Sequence, residues 1–247
     1  MYIPFFLCWG SFLNVLAYRL IQNKSIITPR SFCPHCHTTI SWYDNIPVIS
    51  WIFLQGKCRT CKKPISILYP LIELITTLLL SCLYVYIPHT YFIPYFVLIS
   101  ALIVTMRSDT ETMLISPFMT IYLAPIGFVF SWFNILPVSF LESIAGATGG
   151  YLFLYTVNYI FTLIKQQDGI GEGDFDLLFL IGAFTGIIGC WASVTIGSAV
   201  GSFIGVIYLA YDRYWNKNIQ THSTKIPFGP FLALGALTYI FLQVYLY

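Results

Sequence analysis

The sequence predicts an all-α polytopic membrane protein of about eight transmembrane helices. Three observations carry that prediction: a shortage of charge, a series of long apolar runs, and a one-sided placement of the basic residues. Of 247 residues, 57% are hydrophobic and 9% are charged, and the mean hydropathy is +0.77. A soluble globular chain carries about a quarter charged residues. The deficit is spread along the whole chain, which excludes a soluble domain on a single anchor helix. Lipid offers no partners to backbone N–H and C=O groups, so a spanning helix needs roughly 20 apolar residues in a row. Such runs occur at about 3–21, 70–88, 91–107, 113–132, 139–163, 175–190, 192–211 and 227–246. The sixth and seventh nearly merge around Gly189 and Cys190. The first lacks a basic n-region and a small-residue cleavage site, so it reads as a retained helix and not as a cleaved signal.

Eight spans place the connecting segments alternately on two sides. One side receives 20–69, 107–112, 164–174 and 212–226; the other receives both termini and the short turns. All twelve Lys and Arg fall on or at the border of the first set: Arg19, Lys24, Arg30, Lys57, Arg59, Lys62, Lys63, Arg107, Lys165, Arg213, Lys217 and Lys225. Positive loops stay in the cytoplasm, so that set is expected inside and both termini outside. Hydrophobicity alone defined the spans, so the charge split is a largely independent check on their number.

The one long polar segment, 24–69, is too small for an ordinary hydrophobic core and needs staples. Cys33-Pro34-His35-Cys36 and Cys58-Arg59-Thr60-Cys61 supply them. Two Cys-x-x-Cys knuckles at this separation bring four thiolates to one ion in a tetrahedral zinc site. Lys57, Arg59, Lys62 and Lys63 are expected to favour the thiolates. A pair of disulfides is the competing reading, and a reducing cytoplasm disfavours it. His35 and His37 are spare, while Cys8, Cys82 and Cys190 sit inside spans as small packing residues. Between the knuckles, Trp42–Trp51 offers aromatics that fit either against the knuckles or at the membrane interface. The expected organisation is 1–23 as the first transmembrane helix, 24–69 as a cytoplasmic zinc-binding loop domain, and 70–247 as a seven-helix membrane domain.

Ionisable groups at membrane depth are costly and functional by default. Asp44, Asp168 and Asp212 fall in loops, where solvation accounts for them. Glu73 and Glu142 open helices, where an acid near the N-terminus is favourable. Two sites remain: Arg107-Ser108-Asp109-Thr110-Glu111 at the inner end of the third span, and Gly171-Glu172-Gly173-Asp174-Phe175-Asp176 leading into the sixth. Both lie at the same depth on the same side. Members of each acidic pair are two residues apart, about 200° around a helix, so only one of each can face the bundle. Gly171 and Gly173 allow close backbone approach beside Asp174, which favours Asp174 over Asp176. Periodicity does not choose between Asp109 and Glu111. Two carboxylates in contact share one proton, and one can then activate a water, which is aspartic-protease chemistry. A helix-capping Asp beside a glycine turn is the alternative at this point.

With these motifs in place, the chain resembles the bacterial type IV prepilin peptidases, which are Gly-x-Gly-Asp membrane aspartic proteases. Gly10-Ser11-Phe12-Leu13-Asn14-Val15 with Tyr18-Arg19 is similar to the family's first-helix signature. The two knuckles and Trp42–Trp51 are similar to its zinc loop, and Tyr69-Pro70-Leu71-Ile72-Glu73 to the start of its second helix. Gly171-Glu172-Gly173-Asp174 matches the catalytic motif, and Ile226-Pro227-Phe228-Gly229-Pro230-Phe231-Leu232 the start of the last helix. The resemblance implies Asp109 and Asp174 as the catalytic pair, with Gly171 and Gly173 as supporting residues and Cys33, Cys36, Cys58 and Cys61 around structural zinc. It implies removal of a short basic leader from prepilins and pilin-like type II secretion proteins at the cytoplasmic face. Many members then methylate the new N-terminus from S-adenosylmethionine. The implied setting is the bacterial cytoplasmic (inner) membrane, with the lipid bilayer and pilin substrates as partners and no nucleic acid. The chain departs from the family pattern at three places. Ile115-Ser116-Pro117 stands where a Pro-Asp is common, Asp176 stands where a lysine is common, and no glycine occurs between 70 and 88. The last departure bears on methyl transfer more than on proteolysis. A transporter with a zinc module is the competing class; it would often show inverted repeats, and the two halves show no convincing repeat.

Overall fold

The computed structural model describes residues 2–167, 169–215 and 227–243. Among them the chain is helical, with two isolated β-bridges and no strand. The helices are α1 (Ile3–Ile21), α2 (Ile49–Phe53), α3 (Leu68–Tyr86), α4 (His89–Thr112), α5 (Ala124–Trp132), α6 (Phe140–Lys165), α7 (Glu172–Trp215) and α8 (Gly229–Gln243). Two compact units result, 1–108 and 109–247, with α4 running across the boundary between them.

Five of these helices are long and apolar enough to cross a membrane: Ile3–Ile21, Leu68–Tyr86, His89–Thr112, Phe140–Lys165 and Glu172–Tyr211. Their outer surfaces support that reading. In α6 only 17% of the most apolar window is buried inside the protein, and Leu152, Tyr155, Ile160, Leu163 and Ile164 all lie exposed. An apolar surface of that extent is not left to water. It faces lipid.

The observed helices differ from the predicted spans at two places. The 113–132 run is not one helix: Met113 is left-handed (φ 54°), Pro117–Met119 forms a 3-10 turn, and α5 has only nine residues. Pro117 and Pro125 open their respective segments, because proline suits a first turn and cannot continue the preceding helix. At 1.5 Å per residue α5 is about 13 Å long, well short of a hydrocarbon core of about 30 Å.

The second difference is where α7 turns. A straight helix would separate residues 178 and 190 by about 18 Å. Instead Cys190 Sγ donates to the Leu178 carbonyl at 3.6 Å, so α7 is folded into a hairpin. The reversal is at Gly186, with φ 69° and ψ −167°, a conformation open essentially to glycine alone. The predicted sixth and seventh spans are therefore its two arms, and the break falls three residues before the expected Gly189. Nearly hydrophobic sequence runs through the turn, so hydropathy blurs it. Helix α6 packs on this hairpin through small residues, as membrane helices do. A Cβ at Gly150 would lie 2.9 Å from Cys190 Sγ and 3.1 Å from Leu178 Cγ. Ser139 caps α6, and Glu142 completes the box by accepting the Ser139 N–H at 2.8 Å, so Glu142 is the helix-start acid its position predicts.

In the 1–108 unit, the motif residues of α1 and α3 meet. A Cβ at Gly10 would lie 2.9 Å from the Cα of Glu73, and the Asn14 amide donates to the Tyr69 carbonyl at 3.1 Å. Arg107 Nε donates to Asn14 Oδ1 at 3.3 Å, with its guanidinium 5.3 Å from the Tyr69 ring centre. Arg19, buried at the end of α1, donates to the carbonyls of Ser25 and Ile26, each at 2.9 Å, and so fixes where the polar segment starts. Glu73 is not the helix-start acid its position predicts, because α3 begins at Leu68 and its first turn holds no acid. It is buried, and its Oε2 accepts the Val48 N–H at 2.7 Å, holding Val48 in a positive-φ turn (φ 60°).

Candidate active site and metal site

The two knuckles fold alike. In the first, Cys33 N–H donates to Thr38 O (3.0 Å) and His37 N–H to Cys33 O (2.9 Å). In the second, Cys58 N–H donates to Lys63 O (2.9 Å) and Lys62 N–H to Cys58 O (3.0 Å). His37 (φ 57°) and Lys62 (φ 60°) take the left-handed turn at corresponding places. Each knuckle is closed by a bridge, Phe32 to Thr39 and Lys57 to Pro64. The repeat gathers the four thiols of Cys33, Cys36, Cys58 and Cys61 within 4.8 Å of one another.

Cys33 and Cys61 are 3.8 Å apart at sulfur, and Cys36 and Cys58 are 4.0 Å apart. A tetrahedral zinc with bonds of about 2.3 Å requires sulfurs about 3.8 Å apart. All four cysteines are free thiols. The donor set and its spacing therefore fit zinc and do not fit disulfides. Neither His35 nor His37 belongs to the cluster. Hydrogen bonds from the Thr38 hydroxyl and backbone N–H bring the Cys36 thiol down to about 6. Backbone N–H groups of Cys61 and Thr60 lower Cys58. At these two cysteines local amides and a hydroxyl do what the flanking cations were expected to do, whereas Cys61, despite a backbone hydrogen bond from Lys63, is pushed up to about 11 by burial and the neighbouring thiols.

The aromatic stretch between the knuckles divides. Trp51 packs its ring on Gly56, where a Cβ would meet it at 2.8 Å, and donates Nε1–H to Ile65 O at 3.2 Å. Trp42 is 74% exposed. Asp44, expected to be simply solvated, forms a two-pronged pair with Arg59 inside the second knuckle, at 2.7 and 2.6 Å. The guanidinium holds that carboxyl below its ordinary range. Sequence gave no sign of this pairing, because fifteen residues separate the partners.

In the 109–247 unit, Asp109 lies in the last turn of α4 and Asp174 in the first turn of α7. Both are buried, at 5% and 8% exposure. Their alternatives differ: Glu111 is exposed and Asp176 is half-buried. Asp109 and Asp174 both lie near Ile115, Asp109 through Gly229 and Asp174 through the adjoining Gly173. Ile115 lies between their surroundings. A Cβ at Gly173 would sit 2.8 Å from Ile115 Cβ, and one at Gly229 would sit 3.2 Å from Ile115 Cδ1. Gly229 in turn donates its N–H to Asp109 Oδ2 at 3.0 Å. Asp174 also profits from its own helix start, where unpaired N–H groups and the dipole favour an acid.

Neither Gly171 nor Gly173 has a positive φ; among the described glycines only Gly56 and Gly186 do. Gly173 serves close packing on Ile115, and Gly171 merely abuts Asp174, with its Cβ position 3.6 Å from Oδ2. Ile115 itself stands in the segment that departs from the family pattern. The residue that sequence reasoning passed over is Gly229, quoted only as part of a helix-start motif. Asp168 lies outside the described residues, as does Ile226 of that motif.

Fold and sites define a multi-pass helical membrane protein with a buried aspartate pair and a four-cysteine cluster fit for a metal. Residues 5–87 match the Bacterial Peptidase A24 N-terminal domain, and residues 96–210 match the Type IV leader peptidase family. The chain belongs to the type IV leader peptidase family. It is 33% identical over 259 residues to the prepilin leader peptidase/N-methyltransferase of Aeromonas hydrophila, covering 94% of this chain and 86% of that one. The protein of the same name from Klebsiella pneumoniae is 36% identical over 187 residues, 73% of this chain and 82% of that one. The type 4 prepilin-like proteins leader peptide-processing enzyme of Escherichia coli O78:H11 is 30% identical over 253 residues, 95% and 90% of the two chains. No solved structure matches the chain. Membership disfavours the transporter reading.

Proposed function

We propose that this chain is an aspartic endopeptidase that removes the leader of prepilins and pilin-like proteins, with Asp109 and Asp174 as its catalytic pair. One observation carries the assignment: two buried carboxylates, 65 residues apart in the chain by their numbers, are gathered about Ile115 in one unit, Asp109 through its contact with Gly229 and Asp174 through the adjoining Gly173. Two such groups share a proton. The ionised partner takes a proton from water as the water attacks the scissile carbonyl, and the protonated partner donates to the carbonyl oxygen. Collapse of the tetrahedral intermediate passes a proton to the leaving amine, and the pair returns to its starting charge.

Zinc on Cys33, Cys36, Cys58 and Cys61 would act as a cross-link of the polar segment, and no step of cleavage passes through it. The three-part division at residues 23 and 69 belongs to this reading. So do a cytoplasmic zinc loop, the inner membrane of a bacterium, and cleavage after a basic leader. Methyl transfer from S-adenosylmethionine is a second activity, supported by the relatives' names.

The test is co-expression with a prepilin, followed by mass measurement of the substrate's N-terminus. Asp109→Asn and Asp174→Asn should each lower cleavage by about 10²–10⁴-fold, the usual worth of a positioned acid or base. Glu111→Gln and Asp176→Asn should keep substantial activity. Near wild-type cleavage by either Asn variant, in protein that remains membrane-inserted, refutes the pair.

A further inference from the structure

The start of α8 is built around a carboxylate oxygen that the cleavage mechanism does not itself account for. The first N–H groups of a helix have no intrahelical partner. Pro230 has no N–H to offer, so Gly229 supplies the donor at the head of α8. That N–H meets Asp109 Oδ2 at 3.0 Å, across 120 residues of sequence, in a buried setting. Space at the same point is closed. A Cβ on Gly229 would lie 2.7 Å from Oδ2 and 3.4 Å from Cγ of Asp109, and below 3.0 Å something has to move.

We propose that Gly229 is a positioning residue for leader cleavage: its N–H holds Oδ2 of Asp109 and its missing side chain leaves that oxygen its place. The hydroxyl oxygen of a carboxylic acid is a poorer acceptor than its carbonyl oxygen, so an amide donating to Oδ2 favours the acidic hydrogen on Oδ1. Oδ1 is then the favoured oxygen of Asp109 for the attacking water or the shared proton. Pro230 sets the backbone at the second helical position, so the donor stays aimed as α8 starts. This inference rests on the reading that Asp109 takes part in cleavage, and the experiment separates the two.

Purified wild type, Gly229→Ala, Asp109→Asn, Ile115→Val and the Gly229→Ala, Ile115→Val double variant are assayed on a prepilin substrate. Misplacing a catalytic group by about 1 Å costs on the order of 100-fold. Gly229→Ala should accordingly lose roughly 10–100-fold in kcat with KM little changed, and should melt near the wild-type temperature. Valine at 115 removes the Cδ1 that a new Cβ would approach at 3.2 Å, and leaves the Asp109 contact in place. The double variant should stay as slow as Gly229→Ala. Restoration of kcat by valine would show that Ile115 was the obstruction, and wild-type kcat in Gly229→Ala would show that the oxygen needs no such seat. Either result overturns the proposal. Cleavage by Asp109→Asn would instead remove the reading beneath it. If Gly229→Ala does not accumulate, Asp109→Ala, Gly229→Ala is compared with Asp109→Ala alone. Equal accumulation supports a clash with the carboxylate, and failure of the double variant overturns it.

Discussion

Removing the metal from the two knuckles should release a constraint whose size follows from the loop that it closes. Cys33 and Cys61 are 28 residues apart in sequence and 3.8 Å apart at sulfur. Cross-linking a loop of that length removes about 3.6 kcal/mol of chain entropy at 25 °C on the usual loop-closure relation. At 1.36 kcal/mol per tenfold, that is a several-hundred-fold change in the opening equilibrium. The reporters are four amides that close the knuckles: Cys33, His37, Cys58 and Lys62. Hydrogen exchange read by mass spectrometry, on protein in nanodiscs before and after chelation, should show these amides losing protection by about that factor. The amides of α3 and α6 should be unchanged, since they depend on helix and lipid. Cys33→Ser should reproduce the effect, and metal analysis should give about one zinc per wild-type chain. Unaltered exchange in protein proven metal-free would refute the argument, as would stoichiometric disulfides in fresh preparations.

The Asp44–Arg59 pair should act as a second, weaker fastener of the same segment. Asp44→Asn should release zinc to a colorimetric chelator a few-fold faster, with cleavage measured in parallel, and an unchanged rate would deny it that role. The sign with pH follows from the depressed Asp44 value: its contribution is present above the ordinary aspartate range and is lost as pH falls through the lowered folded value. Reporter fusions or cysteine labelling should place Lys62 and Lys165 on the same, cytoplasmic side; opposite sides would break the predicted topology. If a methyl-donor site is present, Asp109→Asn, Asp174→Asn protein should still methylate a peptide that already starts at its mature N-terminus. Transfer by wild type and not by the double variant would show that the two activities share the aspartates.

The site was legible in uneven measure. The expectation of two acidic sites at one depth, on one side, followed from hydropathy and charge alone. So did the four cysteines, because knuckle spacing is a local property of the chain. The choice of Asp109 over Glu111 did not follow from periodicity; the family resemblance made it. In the fold Asp109 is buried and Glu111 exposed, and that burial depends on neighbours such as Gly229 of α8 that the local sequence does not mention.

By itself the sequence determined the solvent of this protein, its helical class, the places where most helices start, and the donor set for a metal. Each of these is set within a few residues, by apolar run length, by capping residues such as Ser139 and Glu142, or by Cys-x-x-Cys spacing. Only the tertiary structure decided where a nearly unbroken apolar stretch reverses. The turn needs a single backbone state at Gly186, and Gly182, Gly186 and Gly189 look alike in sequence. It also decided that Glu73 holds Val48, that Asp44 holds Arg59, and that Gly229 seats Asp109. Those pairings join residues 25, 15 and 120 positions apart. Hydrogen bonds at such separations are formed by packing, and no periodicity along the chain encodes which partner will arrive.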